Sequence, residues 1–321
     1  MEAEYTAAAK DMRHKLNEQL KEYGAENKRR LAALDGSPDA KEAYKLWLQE
    51  QTRDNIRMAS MVDSLSHAAN TANEKAAQTI NDTLPVIYAE NANRAAYAVD
   101  SALRIDTRFA LVDEDTVRHV MQAETPLIRE TVWFMKDPHL KHTQDVRKAQ
   151  VDKAKDMRWN RQKFQSAITQ GILQGESIPN IVKRTDSIFG MNLAAANRAC
   201  RTACTSAENA GRVSSYERAL DLGIELEKQW LATLDGRTRD SHRALDGQHV
   251  PIDKPFEIDG ERIEYPGDPA APGHLVWNCR CTLVAWFPDI EQHDPTRWSK
   301  LPKNTTYEKW KAGKEAEDGI F

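Results

Sequence analysis

Residues 224–234 read IELEKQWLATL and mark the point where the chain changes from a helical to an extended pattern. Five apolar residues of this stretch lie at even positions, as on one face of a β-strand, with the charged Lys228 as an interruption: Ile224, Leu226, Trp230, Ala232 and Leu234. Before Gly223 the apolar residues recur instead at the three- and four-residue spacing of helices. The sequence therefore predicts an α+β fold, in which a long, predominantly helical N-terminal part precedes a small C-terminal β-rich module.

The beginning of the helical part shows a regular apolar pattern and a clear break. Met12, Leu16, Leu20 and Tyr23 follow the i, i+4, i+8, i+11 spacing that forms one apolar stripe on a helix. Residues 35–38 read DGSP. This order predicts a helix end at the glycine, an N-cap at the serine and the first turn of the next helix at the proline.

Further helix boundaries are predicted in the second half of the helical part. Asp113 is expected to cap a short helix. Ser177 is expected to cap a helix that ends at Gly190, after which Asn192 opens a long helix to Leu222. The prediction thus contains two helices between residues 177 and 222.

The β-rich module contains a predicted hairpin. Residues 256–263 surround an Asp-Gly pair, which favours a tight turn between two antiparallel strands. Residues 275–277 and 282–287 are predicted as further short strands. The polar tail after Pro288 includes Trp310, and we expect this tail to dock on a partner or on the body of the protein itself.

Composition limits the classes of partner. The 45 basic and 49 acidic residues give a formal net charge of −4, so there is no global bias toward nucleic acid or anionic membranes. No apolar run approaches the roughly 20 residues that cross a bilayer, and the acidic N-terminus lacks the apolar segment of a signal peptide. The four cysteines are too few for a disulfide scaffold. We therefore expect free thiols in a protein that folds in a cytoplasm and does not enter a membrane.

The residues best suited to carry chemistry lie in two elements of the module, residues 235–242 (DGRTRDSH) and 278–281 (NCRC). Cys279 and Cys281 are two positions apart, so their sulfur atoms point to the same face of an extended chain. Two thiolates together with imidazole nitrogens suit tetrahedral zinc. One interpretation is a structural zinc site, with His249 as an alternative histidine, whose candidate ligands are His242, His274, Cys279 and Cys281.

The other interpretation is a polar knot that holds no cofactor. In this knot Asp235 and Asp246 pair with arginines of the module, because charge-assisted hydrogen bonds tie short loops together. The knot residues are Asp235, Arg237, Arg239, Asp246, Asn278 and Arg280. Cys-x-Cys is a weaker zinc signal than paired Cys-x-x-Cys motifs, so the sequence favours the knot without a metal while leaving the zinc site open.

A third interpretation of Cys279 and Cys281 is enzymatic. A Cys–His pair with a nearby aspartate is typical of nucleophilic catalysis. A catalytic cysteine usually lies at a helix N-terminus or beside a base, whereas the cysteines of residues 278–281 lie in a strand-like stretch. We therefore expect no catalytic activity. Cys200 and Cys204, at i and i+4 among alanines, are interpreted as small buried residues of a helix–helix contact in preference to metal ligands.

The order of the motifs resembles that of a known family. In chain order they are Arg201-Thr202, residues 209–212 (NAGR), Gln229-Trp230, residues 235–242, residues 245–247 (LDG), Phe256, residues 266–269 (PGDP) and residues 278–281. Together, over about residues 159–287, they resemble the phage Mu F-like head morphogenesis domain of minor head proteins from tailed phages and prophages. We accordingly expect a helical arm (1–158), the helical part of the Mu F-like domain (159–223), the β-rich module (224–288) and a C-terminal tail (289–321).

The resemblance implies a minor capsid protein that acts in head morphogenesis. The partners that it implies are the phage portal protein, the major capsid or scaffold protein and packaged DNA, whose retention or ejection some relatives influence. The implied location is the virion, in the head interior at the portal vertex, after synthesis in the host cytoplasm. Other relatives carry C-terminal toxin domains, for which the 40 residues after Cys281 are expected to be too few.

A second function stays open at this point. The chain could be a metal-dependent enzyme or a DNA-contacting protein that is packaged in the head and delivered with the genome. The candidate DNA-facing residues are Arg198, Arg201 and Arg212. The sequence favours a competing role for the arginines of this region, namely pairing with carboxylates of the same domain.

Overall fold

Helices dominate the described chain because its apolar residues recur at helical spacing over most of its length. The computed structural model describes residues 1–53, 55–107, 109–122, 157–288 and 298–318. The helices in these ranges are α1 (Glu2–Gln19), α2 (Lys21–Ala32), α3 (Pro38–Arg53), α4 (Asn55–Leu103), α5 (Glu114–Gln122), α6 (Met157–Leu173), α7 (Ile178–Asp221), α8 (Asp240–Leu245), α9 (Gly273–Val276) and α10 (Tyr307–Asp318). The strands are β1 (Ile105–Asp106), β2 (Glu227–Leu231), β3 (His249–Pro251), β4 (Phe256–Ile258), β5 (Glu261–Ile263), β6 (Thr282–Trp286) and β7 (Ser299–Lys300).

The chain forms two compact units. Unit 1 consists of residues 1–79 and 152–197, and unit 2 consists of residues 80–151 and 198–321. The long helices α4 and α7 each contribute one part to unit 1 and another part to unit 2. The boundaries that the sequence predicts between arm, domain, module and tail remain predictions.

The predicted apolar stripe lies in the core of unit 1. Met12, Leu16, Leu20 and Tyr23 are all buried, and they belong to one apolar cluster with residues of α4, α6 and α7. Aromatic packing continues this core, since the rings of Phe164 and Phe189 lie 5.4 Å apart. The spacing of the stripe therefore predicted the buried face correctly.

A chain of buried polar side chains also links the helices of unit 1. Asn160 Nδ2 donates to Asn70 Oδ1 at 3.1 Å, and Asn192 Nδ2 donates to Asn160 Oδ1 at 2.9 Å. Asn73 Nδ2 donates to Asn192 Oδ1 at 2.8 Å, and the Tyr5 hydroxyl donates to Asn73 Oδ1 at 2.6 Å. Because buried amides need partners, this chain fixes how α1, α4, α6 and α7 pack within the unit.

Two predicted helix caps are confirmed. The Ala40 amide donates to Ser37 Oγ at 3.2 Å at the start of α3. The Thr116 amide donates to Asp113 Oδ2 at 2.8 Å at the start of α5. Both side chains satisfy a backbone N–H that the first helical turn leaves without an intrahelical partner.

The predicted helix end at Gly190 is wrong, because α7 continues through this residue without a break. Gly190 is exposed, whereas its neighbours Ile188, Phe189 and Asn192 are buried. A glycine inside a helix costs only about 1 kcal/mol relative to alanine. Burial of the three neighbouring side chains outweighs that cost, so the helix continues.

Helices α4 and α7 approach each other closely in unit 2. A β carbon at Gly211 would lie 2.4 Å from the carbonyl oxygen of Tyr88 and 3.1 Å from the amide nitrogen of Ala92. Ser215 Oγ strengthens the same contact by donating to the Ala92 carbonyl at 2.6 Å. Only glycine leaves room for two backbones at this distance.

A three-stranded antiparallel sheet in the order β3-β2-β6 forms the centre of the β-rich part. Trp230 of β2 is completely buried and pairs with Leu283 of β6. Lys228 was predicted to interrupt the apolar face, yet its side chain is also fully buried, and its Nζ lies 3.0 Å from Glu264 Oε2. Burial lowers the pKa of Lys228, and the ion pair with Glu264 opposes this shift. The buried face of β2 thus includes a paired lysine.

The hairpin predicted at residues 256–263 is confirmed as β4 and β5. Asp259 and Gly260 have φ angles of 54° and 79°, as in a type I′ turn.

The strand predicted at residues 275–277 is wrong, because most of this stretch belongs to the short helix α9. A three-residue apolar run has the same appearance in a strand and in a buried helical turn.

The described part of the C-terminal tail, residues 298–318, packs on the protein itself. Trp310 of α10 is buried, and its Nε1 donates to Asp100 Oδ2 at 2.8 Å. The Tyr307 hydroxyl donates to Glu90 Oε2 at 3.0 Å, and both aromatic rings pack against Tyr97. Of the two expectations for the tail, packing on its own body is therefore observed.

The fold is α+β, as predicted, with small antiparallel sheets near the C-terminus of a mainly helical chain. Within the residues that the structure describes, no helix combines the length and the apolar character needed to traverse a bilayer.

Candidate functional site

Three side chains of the β-rich part converge in the interior of unit 2. His242 lies on α8, while Cys279 and Cys281 flank Arg280 immediately before β6. His242 Nδ1 lies 3.3 Å from Cys281 Sγ and 3.6 Å from Cys279 Sγ. The three potential ligand atoms all lie within 4.8 Å of one another, and all three residues are buried. We call these residues the Cys-His cluster.

The orientation of the His242 ring is fixed on both sides. His242 Nε2 lies 2.8 Å from the Leu275 carbonyl oxygen, which can only accept a hydrogen bond. Nε2 therefore carries the proton of the neutral ring, and the lone pair of Nδ1 faces the two sulfur atoms. The Trp230 ring packs edge-on against the imidazole at a centroid distance of 5.6 Å, which restricts its rotation.

The two thiols of the cluster differ electrostatically. The hydrogen bond with Cys279 lowers the pKa of Cys281 to about 4. The same Cys279–Cys281 hydrogen bond, together with burial, raises the pKa of Cys279. The Cys281 amide also donates to Cys279 Sγ at 3.3 Å. Within the Cys-His cluster the thiolate form is therefore favoured at Cys281 and disfavoured at Cys279.

Helix α7 holds the cysteine segment in place through three polar side chains. The Asn278 amide donates to Thr202 Oγ1 at 2.8 Å, and Thr205 Oγ1 donates to the Cys279 carbonyl at 3.0 Å. Asn209 Nδ2 donates to the Thr205 carbonyl at 2.9 Å, and Asn209 Oδ1 accepts from the Leu283 amide at 2.8 Å. These contacts fix the segment on the helix from one end to the other.

Sequence reasoning gave these three residues no role. Thr202 and Asn209 belong to motifs that carry the family resemblance, and Thr205 belongs to none of them. A signal was nevertheless present, because Thr205 and Asn209 are polar residues at i and i+4 among alanines of α7. A polar pair on the buried face of a helix indicates a tertiary hydrogen bond, since buried polar groups need partners.

The pair at the centre of the predicted polar knot is present. Arg280 Nη1 lies 2.6 Å from Asp235 Oδ2, and Arg280 Nη2 lies 2.7 Å from Asp235 Oδ1. The Arg237 amide also donates to Asp235 Oδ1 at 2.8 Å. The Arg280 guanidinium holds the pKa of Asp235 well below its usual range. This bidentate pair closes the loop of residues 235–242 onto the cysteine segment.

Other predicted knot residues use different partners. Asp246 Oδ1 accepts from the Ala232 amide at 2.7 Å instead of pairing with an arginine. Arg239 donates to the Trp277 carbonyl. Asn278 adopts a φ of 59° and accepts a hydrogen bond from Arg201. Backbone groups thus take much of the bonding that the sequence assigned to ion pairs.

The two histidines that the sequence offered as further zinc ligands lie elsewhere. His274 is exposed on α9, since the turn that buries Leu275 and Val276 directs it toward solvent. His249 is also exposed, with Nδ1 2.5 Å from Glu227 Oε2 and its ring stacked on Trp286 at 3.8 Å. The structure brings neither histidine to the Cys-His cluster.

The candidate DNA-facing arginines fall into two classes. Arg198 and Arg201 are exposed on α7. Arg212 is largely covered, and its Nη2 donates to Glu208 Oε1 at 3.2 Å and to Asn91 Oδ1 at 3.1 Å. Arg212 is thus engaged within unit 2, and only the first two arginines present their charge to solvent.

The other two cysteines form a separate pair on α7. Cys200 Sγ and Cys204 Sγ lie 3.9 Å apart, and both residues are partly buried. Burial raises the pKa of Cys204 to about 12. This thiol pair has no part in the Cys-His cluster.

Comparison with known proteins finds one matching family model and two relatives. The model of the Phage Mu protein F like protein family matches residues 162–284. Minor head protein GP7 of Bacillus phage SPP1 is 26% identical over 233 residues, which cover 71% of this chain and 68% of that protein. NAD(+)--arginine ADP-ribosyltransferase EFV of Enterococcus faecalis (strain ATCC 700802 / V583) is 23% identical over 261 residues, covering 70% of this chain and 53% of that protein.

The chain thus spans about half the length of the enterococcal relative. No solved structure matches the chain. The region that the family model matches contains the Cys-His cluster, the Asp235–Arg280 pair and the α7 residues that hold them. Over residues 162–284 the chain is therefore similar to the Phage Mu protein F like family, in agreement with the resemblance of its motifs.

Proposed function

We propose that this chain is a minor head protein of a tailed phage or prophage, and that it acts in head morphogenesis by binding the portal protein and the inner capsid surface. The observation that carries the proposal is the similarity to a minor head protein over 71% of the chain, well beyond the residues that the family model matches. In this role the protein is made in the host cytoplasm and becomes part of the virion. The major capsid or scaffold protein is its second partner.

In this proposal the protein assembles and does not catalyse. A nucleophilic residue must reach its substrate, whereas His242, Cys279 and Cys281 are each at most 4% exposed. Thr205 instead fixes the Cys279 backbone to α7, and the Asp235–Arg280 pair fixes the loop of residues 235–242 to the cysteine segment. The activity in the name of the enterococcal relative is not carried over, because the similarity covers only 53% of that protein.

The matched region also offers an apolar surface for a partner. Among the described residues, the most exposed large apolar side chains are Trp277, at 67%, and Leu234, at 60%. Both lie within residues 162–284. Exposed tryptophans are enriched at the centres of protein interfaces, where they contribute much of the binding energy. We therefore assign Trp277 and Leu234 to the surface that meets the portal protein.

Co-purification tests this proposal. The full chain is co-expressed with the portal protein of the same phage, and complex formation is measured by size-exclusion chromatography with light scattering. We expect a defined complex with the wild-type chain, and binding at least about tenfold weaker with Trp277→Ala, since a buried interfacial tryptophan contributes about 2 kcal/mol or more. Leu46→Ala is the matched control, because Leu46 is 51% exposed but lies outside the matched region.

The two parts of the proposal fail in different ways. A wild-type chain that binds neither the portal nor the capsid protein contradicts the assembly function. A wild-type chain that binds the portal equally well with Trp277→Ala contradicts only the assigned surface. Retention of binding by Leu46→Ala is required for either conclusion.

Contact with packaged DNA is a second candidate function, favoured by the exposed guanidinium groups of Arg198 and Arg201. If these residues bind phosphates, affinity for duplex DNA falls as salt rises, and Arg198→Glu with Arg201→Glu reduces that salt dependence. Arg212→Gln is the control, since Arg212 is engaged by Glu208 and Asn91. Absence of any salt-sensitive DNA binding by the wild-type chain removes this candidate.

A further inference from the structure

We propose that the Cys-His cluster binds one zinc ion through His242 Nδ1, Cys279 Sγ and Cys281 Sγ, with a water molecule as the fourth ligand. This inference rests on the geometry of the cluster and is independent of the role in the phage head.

The distances between the donor atoms fit a tetrahedral ion. Zinc–nitrogen and zinc–sulfur bonds of about 2.0 and 2.3 Å at a tetrahedral angle place nitrogen and sulfur about 3.5 Å apart. His242 Nδ1 lies 3.3 Å from Cys281 Sγ and 3.6 Å from Cys279 Sγ. The side chains therefore need little movement to become ligands.

The histidine is already in the tautomer that a metal requires. Its Nε2 is held by the Leu275 carbonyl at 2.8 Å, so the unprotonated Nδ1 faces the sulfur atoms. Metal-binding histidines characteristically donate their second ring N–H to a carbonyl or carboxylate, which fixes the ring and makes the ligand atom more basic. The arrangement on α8 has this form.

The burial of the two cysteines and the charge of their thiolates also favour a bound zinc ion. Cys279 and Cys281 are only 2% and 4% exposed, and an uncompensated thiolate in such surroundings is unfavourable. A divalent zinc ion with two thiolates and a neutral imidazole carries no net charge. The Cys281 amide, which donates to Cys279 Sγ at 3.3 Å, would further stabilise a metal-bound thiolate.

Space for a fourth ligand lies directly beside the cluster. A cavity of about 20 Å³ borders His242, Cys279 and Cys281. Its remaining walls are formed by Thr233, Arg237, Thr238, Arg239, Asn278 and Arg280. A volume of roughly 10–15 Å³ suffices for one water molecule, and the polar walls offer it hydrogen bonds. Because neither His249 nor His274 reaches the cluster, water is the ligand that this cavity supplies.

Elemental analysis and cobalt substitution test the site. The full chain is produced in zinc-containing medium, and its zinc content is measured after gel filtration. Cobalt(II) is then exchanged into the site and the visible and near-ultraviolet spectra are recorded. We expect about one zinc ion per chain, and for cobalt the charge-transfer bands of thiolate ligands with the d–d bands of tetrahedral coordination.

Variants assign the ion to the cluster. Cys281→Ser and His242→Gln are expected to lower the zinc content at least about tenfold, in line with the loss of a ligand from a three-ligand site. The double variant Cys200→Ser with Cys204→Ser is the matched control, because it removes the other thiol pair and leaves the cluster intact. It is expected to retain full zinc content and the unchanged cobalt spectrum.

X-ray absorption of the wild-type zinc protein keeps the proposal testable if the cluster variants do not fold. Two sulfur and two nitrogen or oxygen scatterers around zinc support the site. Zinc-free wild-type protein that also fails to take up cobalt overturns the proposal. So does metal that is lost in the Cys200 and Cys204 control, or a first shell that contains no sulfur.

Discussion

Asp100 shows how one residue can make the stability of unit 2 depend on pH. Its carboxyl group is completely buried, yet it accepts hydrogen bonds from Thr107 Oγ1 at 2.6 Å and from Trp310 Nε1 at 2.8 Å. Burial raises the pKa of Asp100 to about 6, although these bonds and the charge of Lys314 act in the opposite direction. The native carboxyl group therefore remains protonated at pH values where an unfolded aspartate is already ionised.

This shift predicts that unit 2 loses stability as pH rises. Between about pH 4 and about pH 6 the folded chain binds a proton that the unfolded chain has released, so the free energy of unfolding falls with increasing pH. We expect Asp100 to account for a decrease on the order of 2–3 kcal/mol between about pH 4 and about pH 7. Urea denaturation of wild type and Asp100→Asn at both pH values measures this difference.

The comparison of the two proteins isolates the carboxyl group, since other titrating groups are shared. Asp100→Asn should be less stable overall, because its single side-chain oxygen cannot replace both carboxylate oxygens, which accept from Thr107 and Trp310. Its pH dependence should nevertheless be flatter than that of wild type. Parallel pH profiles for the two proteins would show that Asp100 does not titrate in this window.

At the same scale, the sequence predicted part of the candidate site. Cys279, Cys281 and His242 were identified from their chemistry, and the structure brings them together. Spacing alone could not show whether His242 or His274 meets the cysteines. The carbonyl that orients the His242 ring belongs to Leu275, which is 33 positions away in the sequence. Which histidine meets the cysteines depends on how α8 and α9 pack, and that is decided by tertiary contacts that a local pattern does not contain.

Among the elements, the contact between α4 and α7 depends on a single small residue. A β carbon at Gly211 would lie 2.4 Å from the Tyr88 carbonyl oxygen, which belongs to the backbone and cannot move aside as a side chain can. Gly211→Ala should therefore lower the free energy of unfolding by about 1–3 kcal/mol, the range typical of overpacking. Chemical denaturation followed by circular dichroism measures this change.

Gly190 offers a matched control on the same helix. It is exposed, and no atom lies within 4 Å of the position that a β carbon would occupy. Gly190→Ala should therefore stabilise the protein by about 0.5–1 kcal/mol through helix propensity alone. Equal effects of the two substitutions would contradict the close approach of α4 and α7 at Gly211.

The same elements show what local patterns can predict. The stripe from Met12 to Tyr23, the caps at Ser37 and Asp113 and the turn at Asp259-Gly260 all depend on neighbouring residues, and all were predicted correctly. The continuation of α7 through Gly190 and the burial of Lys228 depend on distant partners. Sequence patterns therefore predicted the local geometry and missed the features that tertiary packing decides.

At the scale of the whole molecule, each of the two units is held together by its own set of polar contacts. In unit 1 a buried chain of asparagine side chains joins α1, α4, α6 and α7. In unit 2 the residues of α7 hold the cysteine segment, and the Asp235–Arg280 pair closes the adjoining loop. Trp277 and Leu234, in the same region as this pair, are exposed. A rigid module with an exposed aromatic residue is suited to binding a large partner, as the proposed assembly function requires.

Electron cryo-microscopy of heads assembled with and without this chain tests the proposed function most directly. The portal vertex is reconstructed from both preparations, and a difference map is calculated. The proposed function predicts additional density in contact with the portal, on the inner side of the shell, in the heads that contain the chain. Identical portal vertices in the two preparations, with the same DNA content and infectivity, would contradict it.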